Sequence, residues 1–395
     1  MAGPYVINRR VPEGIQSLSI GPRCVINWAV APTQLSIPDT ETDRHRSRTR
    51  EIRAFLLDQA AANRQTISSL AAVRFGVSRL GINRHLRQLV ADGLLEARGN
   101  TRARAYTLRV LDRFTHLLDV NEGLEEDRVW AEHIAPRVSG LRENVVSICR
   151  YGFTEMLNNV KDHSASPNAT IMFYRTAVSV HLSVRDNGIG IFRKIAEALH
   201  LEDDEHAILE LAKGKVTTDP EHHSGEGVFF SSRMFDSFGI ASRSLHFSSQ
   251  NADDWIFETQ RREPLEGTMV LMEIRVNAQT TLAEVFRRFT ADLKEHGFTK
   301  TTIPVHLLLH EGDHLVSRSQ AKRLLARVDR FKEVVLDFAG VETVGQAFAD
   351  EIFRVFARSH PDVHLTPIHV SDEVLSMIVR AQRTGEQMAQ REALD

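Results

Sequence analysis

Glu155 and Asn159 stand four residues apart in the run FTEMLNNVKDH, with His163 four further on, so a helix would carry all three on one face. A carboxylate and an amide sharing a face can divide two tasks. Asn159 offers a hard oxygen of the kind Mg2+ accepts while keeping several of its waters. Glu155 can orient and deprotonate a water or hydroxyl attacking a terminal phosphate. His163 extends the same face toward the phosphates. Further on, the alternating run from Val178 to Val184 leads into Asp186-Asn-Gly188-Ile-Gly190. Gly188 and Gly190 relieve steric limits where backbone approaches a ligand, and Asp186 can accept from the exocyclic amine of adenine. Between Gly214 and Gly227 the chain is rich in Gly, Thr, His and Ser, as a segment covering phosphate should be. Gly225 and Gly227 then precede VFFSSRMF, which reads as a helix whose N-terminus can face phosphate. Gly267 and Thr268 open a strand running to Ile274. No single cluster is specific; in this order they read as a nucleotide pocket.

The rest of the chain must position them. At 395 residues it is too long for one ordinary core, so two or three domains are expected. With 42% apolar and 26% charged residues it resembles soluble globular proteins. No apolar run nears the roughly 18 to 20 residues that cross a bilayer, and no secretory signal opens the chain. Two cysteines, Cys24 and Cys149, exclude a disulfide framework and point to a reducing cytoplasm. The net charge of −3 hides an asymmetry: Arg44 to Arg113 holds fifteen arginines, no lysine and five acidic residues. Such an excess predicts a polyanionic partner.

Residues 1–43 show no sustained periodicity and read as an appended arm. From residue 44 to 112 the pattern is three short helices and a hairpin. One helix carries Ile52, Phe55 and Leu56. A second runs from a Thr66 cap to Gly76, and a third follows a Ser78 cap with Ile82, Leu86 and Leu89 inward. Gly99-Asn100 then turns between two strand-like pieces. This segment resembles the winged helix-turn-helix family, on the turn around Ala71, Gly76 and Val77, the HLRQLVADGLLE junction and the basic wing. The resemblance implies double-stranded DNA as partner, with Arg79, Asn83, Arg84 and Arg87 entering the major groove and Arg98, Arg102 and Arg104 contacting phosphate. A winged helix used for protein contact is the alternative.

Residues 114–150 read as helical, a connector followed by one helix over Val129 to Val146. His116 and His133 are the histidines upstream of the pocket, but neither is followed by the acidic, Arg and Pro pattern of a phosphoacceptor. The clusters from Glu155 to Thr268 together resemble the GHKL superfamily of gyrase-like ATPases, MutL, histidine kinases and anti-sigma-factor kinases, over about residues 140–276 of a domain expected at 113–278. That resemblance implies a Bergerat α/β sandwich binding ATP and Mg2+. In it, Glu155 is the general base, Asn159 the metal ligand, and Asp186 with Thr268 the adenine contact. Gly188, Gly190, Gly225 and Gly227 take the backbone positions around the nucleotide. Many histidine kinases carry Lys three places after the Asn; Asp162 stands there, so Lys213 and Lys215 are expected to supply the charge. His222-His223 lacks the further Cys or His of a metal site.

Beyond residue 279 strand-like and helical runs alternate. Val305–Leu309, Val334–Phe338 and Val363–Leu365 read as strands, and Ser317–Val328 and Gly345–Phe356 as helices, a small α/β domain. VVLDFAGVETVGQAFADEI resembles the STAS-like fold of anti-sigma-factor antagonists. Gln346 and Ala347 stand where those proteins carry a phosphorylated Ser, so docking of a partner protein or homodimerisation is the expected role. The expectation is a multidomain α+β protein, cytoplasmic and without membrane contact: a slowly hydrolysing, ATP-switched DNA-binding regulator. The alternative is an anti-sigma-type serine/threonine kinase acting on a separate protein.

Overall fold

The computed structural model describes residues 41–62, 66–100, 104–216, 225–250, 253–258, 265–290, 298–309 and 314–392. The chain is a mixed α/β protein whose backbone divides after Glu51. Most of the expected N-terminal arm therefore lies outside the described residues. The described part of the first unit is the opening of helix α1 (Glu41–Ala61), where Ser47 donates to Glu51 at 3.2 Å.

In the second unit Ile52, Leu56 and Ala60, spaced by four, are buried along the rest of α1. They meet Ile67 and Ala71 of α2 (Ile67–Phe75) and Ile82, Leu86 and Leu89 of α3 (Arg79–Ala91) in a small core. Gly76 ends α2 at φ +60°, the left-handed conformation that glycine adopts without strain. Ser78 caps α3 by accepting the Gly81 N–H at 3.2 Å, as its sequence predicts. Strands β1 (Leu95–Arg98) and β2 (Ala105–Leu108) pair antiparallel to complete this segment.

Strand β3 (Asp112–Asp119) corrects the sequence reading, which made this stretch helical. Phe114, His116 and Leu118 share one face of the strand, and β4 (Asn168–Arg175) supplies the backbone partners, Phe114 opposite Phe173. A local reading cannot see a partner so distant in the chain. The single helix expected over Val129–Val146 is also broken. Helix α4 (Glu126–Val129) passes through a π-helical turn at Trp130–Ile134 into α5 (Ala135–Val138), and the chain turns before α6 (Glu143–His163). Pro136 has no N–H to continue the regular ladder, which accounts for the wider turn preceding it.

Helix α6 buries Val145, Ile148, Cys149, Phe153, Met156 and Val160 along one stripe. At Gly152 a Cβ would stand 2.4 Å from the Phe235 ring, so this glycine lets the helix approach its neighbours closely. The sheet also contains β5 (Ser179–Asp186), β6 (Ser237–Arg243), β7 (Leu245–Gln250), β8 (Asp253–Glu258) and β9 (Leu265–Arg275). Its order is β3-β4-β5-β9-β6-β7-β8 and every pairing is antiparallel. Helices α7 (Ile191–Leu199), α8 (Asp204–Lys213) and α9 (Gly227–Met234) fall between β5 and β6, and α10 (Leu282–Arg288) follows β9.

The C-terminal segment is a parallel three-stranded sheet, β10 (Lys300–Pro304), β11 (Glu333–Asp337) and β12 (His364–Ile368). Its helices are α11 (Arg318–Leu325), α12 (Gln346–Asp350), which runs through a π-helical stretch into α13 (Ala357–Ser359), and α14 (Asp372–Glu392). The strand expected at Val305–Leu309 is displaced: β10 precedes it, and Val305–Leu308 is a 3-10 turn. A short buried apolar run has no periodicity to distinguish the two. Helix α14 has no counterpart in the sequence reading; it packs through Val374, Ile378 and Ala381. The larger core runs continuously into this segment through Phe229, Phe289, Phe298 and Phe331. Among the described residues no helix is long and apolar enough to cross a membrane.

Candidate functional site

The last two turns of α6 aim Glu155, Asn159 and His163 into a cavity of about 120 Å³. Asp186, at the end of β5, lines the opposite side with Gly190, and Thr268 enters from β9. Gly225 and Gly227 complete the rim at the start of α9. Residues from four separate stretches of sequence thus share one concave surface. Its apolar walls include Met156, Val160, Val184, Ile195 and Val270.

Asp186 is 4% exposed, and its Oδ1 accepts the Gly188 N–H at 2.8 Å. Burial raises its carboxyl above the ordinary value, with hydrogen bonds from the Gly188 and Thr268 backbone working the other way. Thr268 Oγ1 accepts the Ile191 N–H at 3.0 Å and so holds the first turn of α7. Gly190 sits at φ +93°, where a Cβ would stand 2.6 Å from Ser242 Oγ. Gly188 does not itself line the cavity. A Cβ there would stand 1.9 Å from the Ser164 carbonyl oxygen, so this glycine lets the loop close onto the end of α6.

Glu155 lies directly against α9. A Cβ on Gly227 would fall 2.0 Å from its Oε2, so the bare glycine makes room for the carboxylate. Tyr151, one turn earlier, has its phenol pushed up by burial and then by the negative charges of Glu155 and Glu226. Glu226, which also lines the cavity, is itself raised by burial and partly offset by Lys215.

Lys213 and Lys215 correct the sequence reading. Lys213 is buried, and its Nζ donates to Glu210 at 2.7 Å and to the Arg323 and Ala326 carbonyls at 2.9 and 3.0 Å. Lys215 donates to the Arg330 carbonyl at 3.0 Å and stands 4.8 Å over the Phe331 ring. Neither lines the cavity. The ammonium there belongs to Lys194, one helical turn after Gly190, which sequence reasoning missed. Its Nζ donates to the His163 carbonyl at 2.6 Å, and burial lowers its pKa. The spacing Gly190-x-x-x-Lys194 was the available signal. His222 and His223 lie outside the described residues, and among those described no three metal-binding side chains cluster. The His116 and His133 rings lie 4.5 Å apart and tilted by 34°, away from the cavity lining.

In the three-helix segment Arg79, Asn83, Arg84 and Arg87 are all exposed on α3, and Arg87 Nε donates back to the Asn83 carbonyl at 3.3 Å. Arg98 is exposed on β1, 3.6 Å from Glu96, and Arg104 lies 5.8 Å over the Tyr106 ring. Arg102 lies outside the described residues.

A family model described as a STAS-like domain of unknown function (DUF4325) matches residues 320–375. The match runs from α11 into the first turn of α14, across β11 and β12. Gln346 and Ala347 open α12 within it, with no hydroxyl at either position. No curated protein matches the chain.

Proposed function

We propose that this chain is an ATP-binding, slowly hydrolysing DNA-binding regulator of the GHKL type, with a Bergerat pocket, an N-terminal winged helix and the STAS-like segment as a docking module. What carries the reading is the convergence of Glu155, Asn159, His163, Asp186, Gly190, Gly225, Gly227 and Thr268 on one cavity. Apart from His163, which the helical spacing adds, these are residues that the GHKL resemblance selects, and nothing local in the sequence requires the separate stretches that carry them to meet.

The lining suits the nucleotide chemically. A flat purine needs apolar walls, which Met156, Val184, Ile195 and Val270 provide, and one buried acceptor for its amine, which Asp186 provides. Asp186 accepts the Gly188 N–H through Oδ1, and a carboxylate with about four lone-pair sites keeps acceptor capacity for the ligand. Mg2+ keeps several waters and takes phosphate oxygens, so the Asn159 side-chain oxygen suffices as protein ligand. Bound there, the ion would neutralise charge on the phosphates. Glu155 is the base that orients the attacking water, and Gly225 and Gly227 admit phosphate close to the start of α9.

For DNA, the support is six exposed side chains on α3 and the hairpin within an arginine-rich, lysine-free segment. Arg and Asn at a helix surface can read base edges, while wing arginines contribute salt-dependent phosphate affinity. The deciding experiment measures ATP turnover with and without duplex DNA for wild type, Glu155→Ala and Asn159→Ala, alongside DNA affinity with ATP and ADP. Glu155→Ala should bind ATP without hydrolysing it, and Asn159→Ala should lose nucleotide dependence. DNA affinity that ignores both nucleotide and Asn159→Ala would overturn the switch. Transfer of labelled phosphate to a second protein would redirect the reading to a serine/threonine kinase.

A further inference from the structure

Helix α8 faces two ways. Leu211, near its end, lines the cavity, as does Val216 just beyond it. Between them the polar side chains turn toward the STAS-like segment. The Lys213 ammonium has three donors, and Glu210 and the carbonyls of Arg323 and Ala326 take all three. Those carbonyls belong to the C-terminal end of α11, where the helix dipole favours a cation. Glu210 is 4% exposed, and its other oxygen stands 3.4 Å from an Arg327 nitrogen. Arg327, at φ +59°, also donates to the Leu199 carbonyl at the end of α7. The Lys213 carbonyl accepts the Thr301 hydroxyl at 2.6 Å, and Lys215 and Arg330 exchange side-chain-to-backbone bonds at 3.0 and 3.1 Å.

A buried ion pair is weak evidence for stability, since apolar replacements of similar shape often fold as well. What a fully satisfied network does supply is a defined register. A slide of α8 along α11 would break the three ammonium bonds together, and the same slide would move Leu211 and Val216 in the cavity wall.

We infer that Lys213, Glu210 and Arg327 are positioning residues that tie the α8 wall of the cavity to the STAS-like segment, so that this segment is a working part of the ligand-binding unit. The inference deepens the ATP reading and rests on it for the identity of the ligand. None of the three side chains needs to touch that ligand.

The test uses the full chain carrying Glu210→Gln with Lys213→Met, which leaves no charge of that pair buried alone. Hydrogen–deuterium exchange across residues 204–216 is measured without ligand, and affinity for a fluorescent ATP analogue with Mg2+ is measured separately. The variant should keep its circular dichroism, exchange at least about 10-fold faster at residues 211–216, and bind the analogue about 5- to 100-fold more weakly, the range of ordinary coupling between sites. Lys322→Met, on the exposed face of α11, should change neither. Wild-type exchange in a folded double variant would overturn the inference, whatever the nucleotide result. If wild type binds no analogue, the ATP reading fails while the exchange arm still decides the coupling. Should the double variant not fold, Arg327→Met carries the same expectation at about 3-fold in exchange, and equality with wild type overturns it.

Discussion

Substituting Gly227 by Ala separates chemistry from folding. The new Cβ would stand 2.0 Å from Glu155 Oε2 and 2.9 Å from its Cδ, so the carboxylate has to move. What it meets is the far end of a flexible side chain, not backbone. Forcing Glu155 off its preferred rotamer costs about 0.5–1.5 kcal/mol. Replacing glycine where the backbone is already helical returns about 0.4–1 kcal/mol through the unfolded chain. The two nearly cancel, and at roughly 2–4 °C per kcal/mol the melting temperature should stay within a few degrees. Turnover should not survive, because a general base displaced from its water forfeits about 10²–10⁴-fold in rate. Gly188→Ala is the contrasting control. Its Cβ would meet the Ser164 carbonyl oxygen at 1.9 Å, an atom fixed by the Ile189 N–H, so overpacking should cost about 1–3 kcal/mol. The assay pairs ATP turnover with thermal melting for Gly227→Ala, Glu155→Ala and Gly188→Ala. A Gly227→Ala protein that turns over at the wild-type rate while Glu155→Ala is inactive would refute the geometric reasoning.

Other outcomes follow from the same geometry. Asp186→Asn should weaken nucleotide binding by at least about 10-fold, because an amide whose oxygen keeps the Gly188 N–H presents donors to the adenine amine. The same variant should melt higher than wild type at pH 7. A carboxyl raised by burial destabilises the folded state once ionised, so the stability gap should open as pH rises from the ordinary value of 3.8 and close below it. Arg84→Ala, if Arg84 reads a base, should cost about 1–3 kcal/mol and relax preference at one position, whereas Arg98→Ala should weaken all sequences alike and flatten the salt slope in binding titrations. Cys149, its thiol pushed to about 12 by complete burial, should resist alkylation in the native protein and react once urea unfolds it, as mass spectrometry of labelled peptides would show.

Much of the fold and the candidate site was legible because it depends on local chemistry. The four-residue spacing of Glu155, Asn159 and His163 needs only a helix to set a shared face, and Gly76 and Ser78 mark helix ends through their own backbone and hydroxyl. The strand into Asp186-Asn-Gly188 is likewise written in periodicity, whereas in the C-terminal segment the strand expected at Val305–Leu309 is displaced to Lys300–Pro304. Strand β3 was not legible, since its identity comes from hydrogen bonds to β4. Neither were the destinations of the lysines. Lys213, Lys215 and Lys194 all flank the glycine-rich stretches, and residue type alone suits each of them to meet phosphate. Which one faces the cavity is decided by how α7 and α8 rotate as their apolar sides are buried. That rotation delivers Lys194 to the cavity and gives Lys213 to the end of α11. The sequence by itself determined which chemical groups this protein carries and on what kind of element. Only the tertiary structure decided which of them meet, because the direction of a side chain is set by the packing of neighbours far away in the chain.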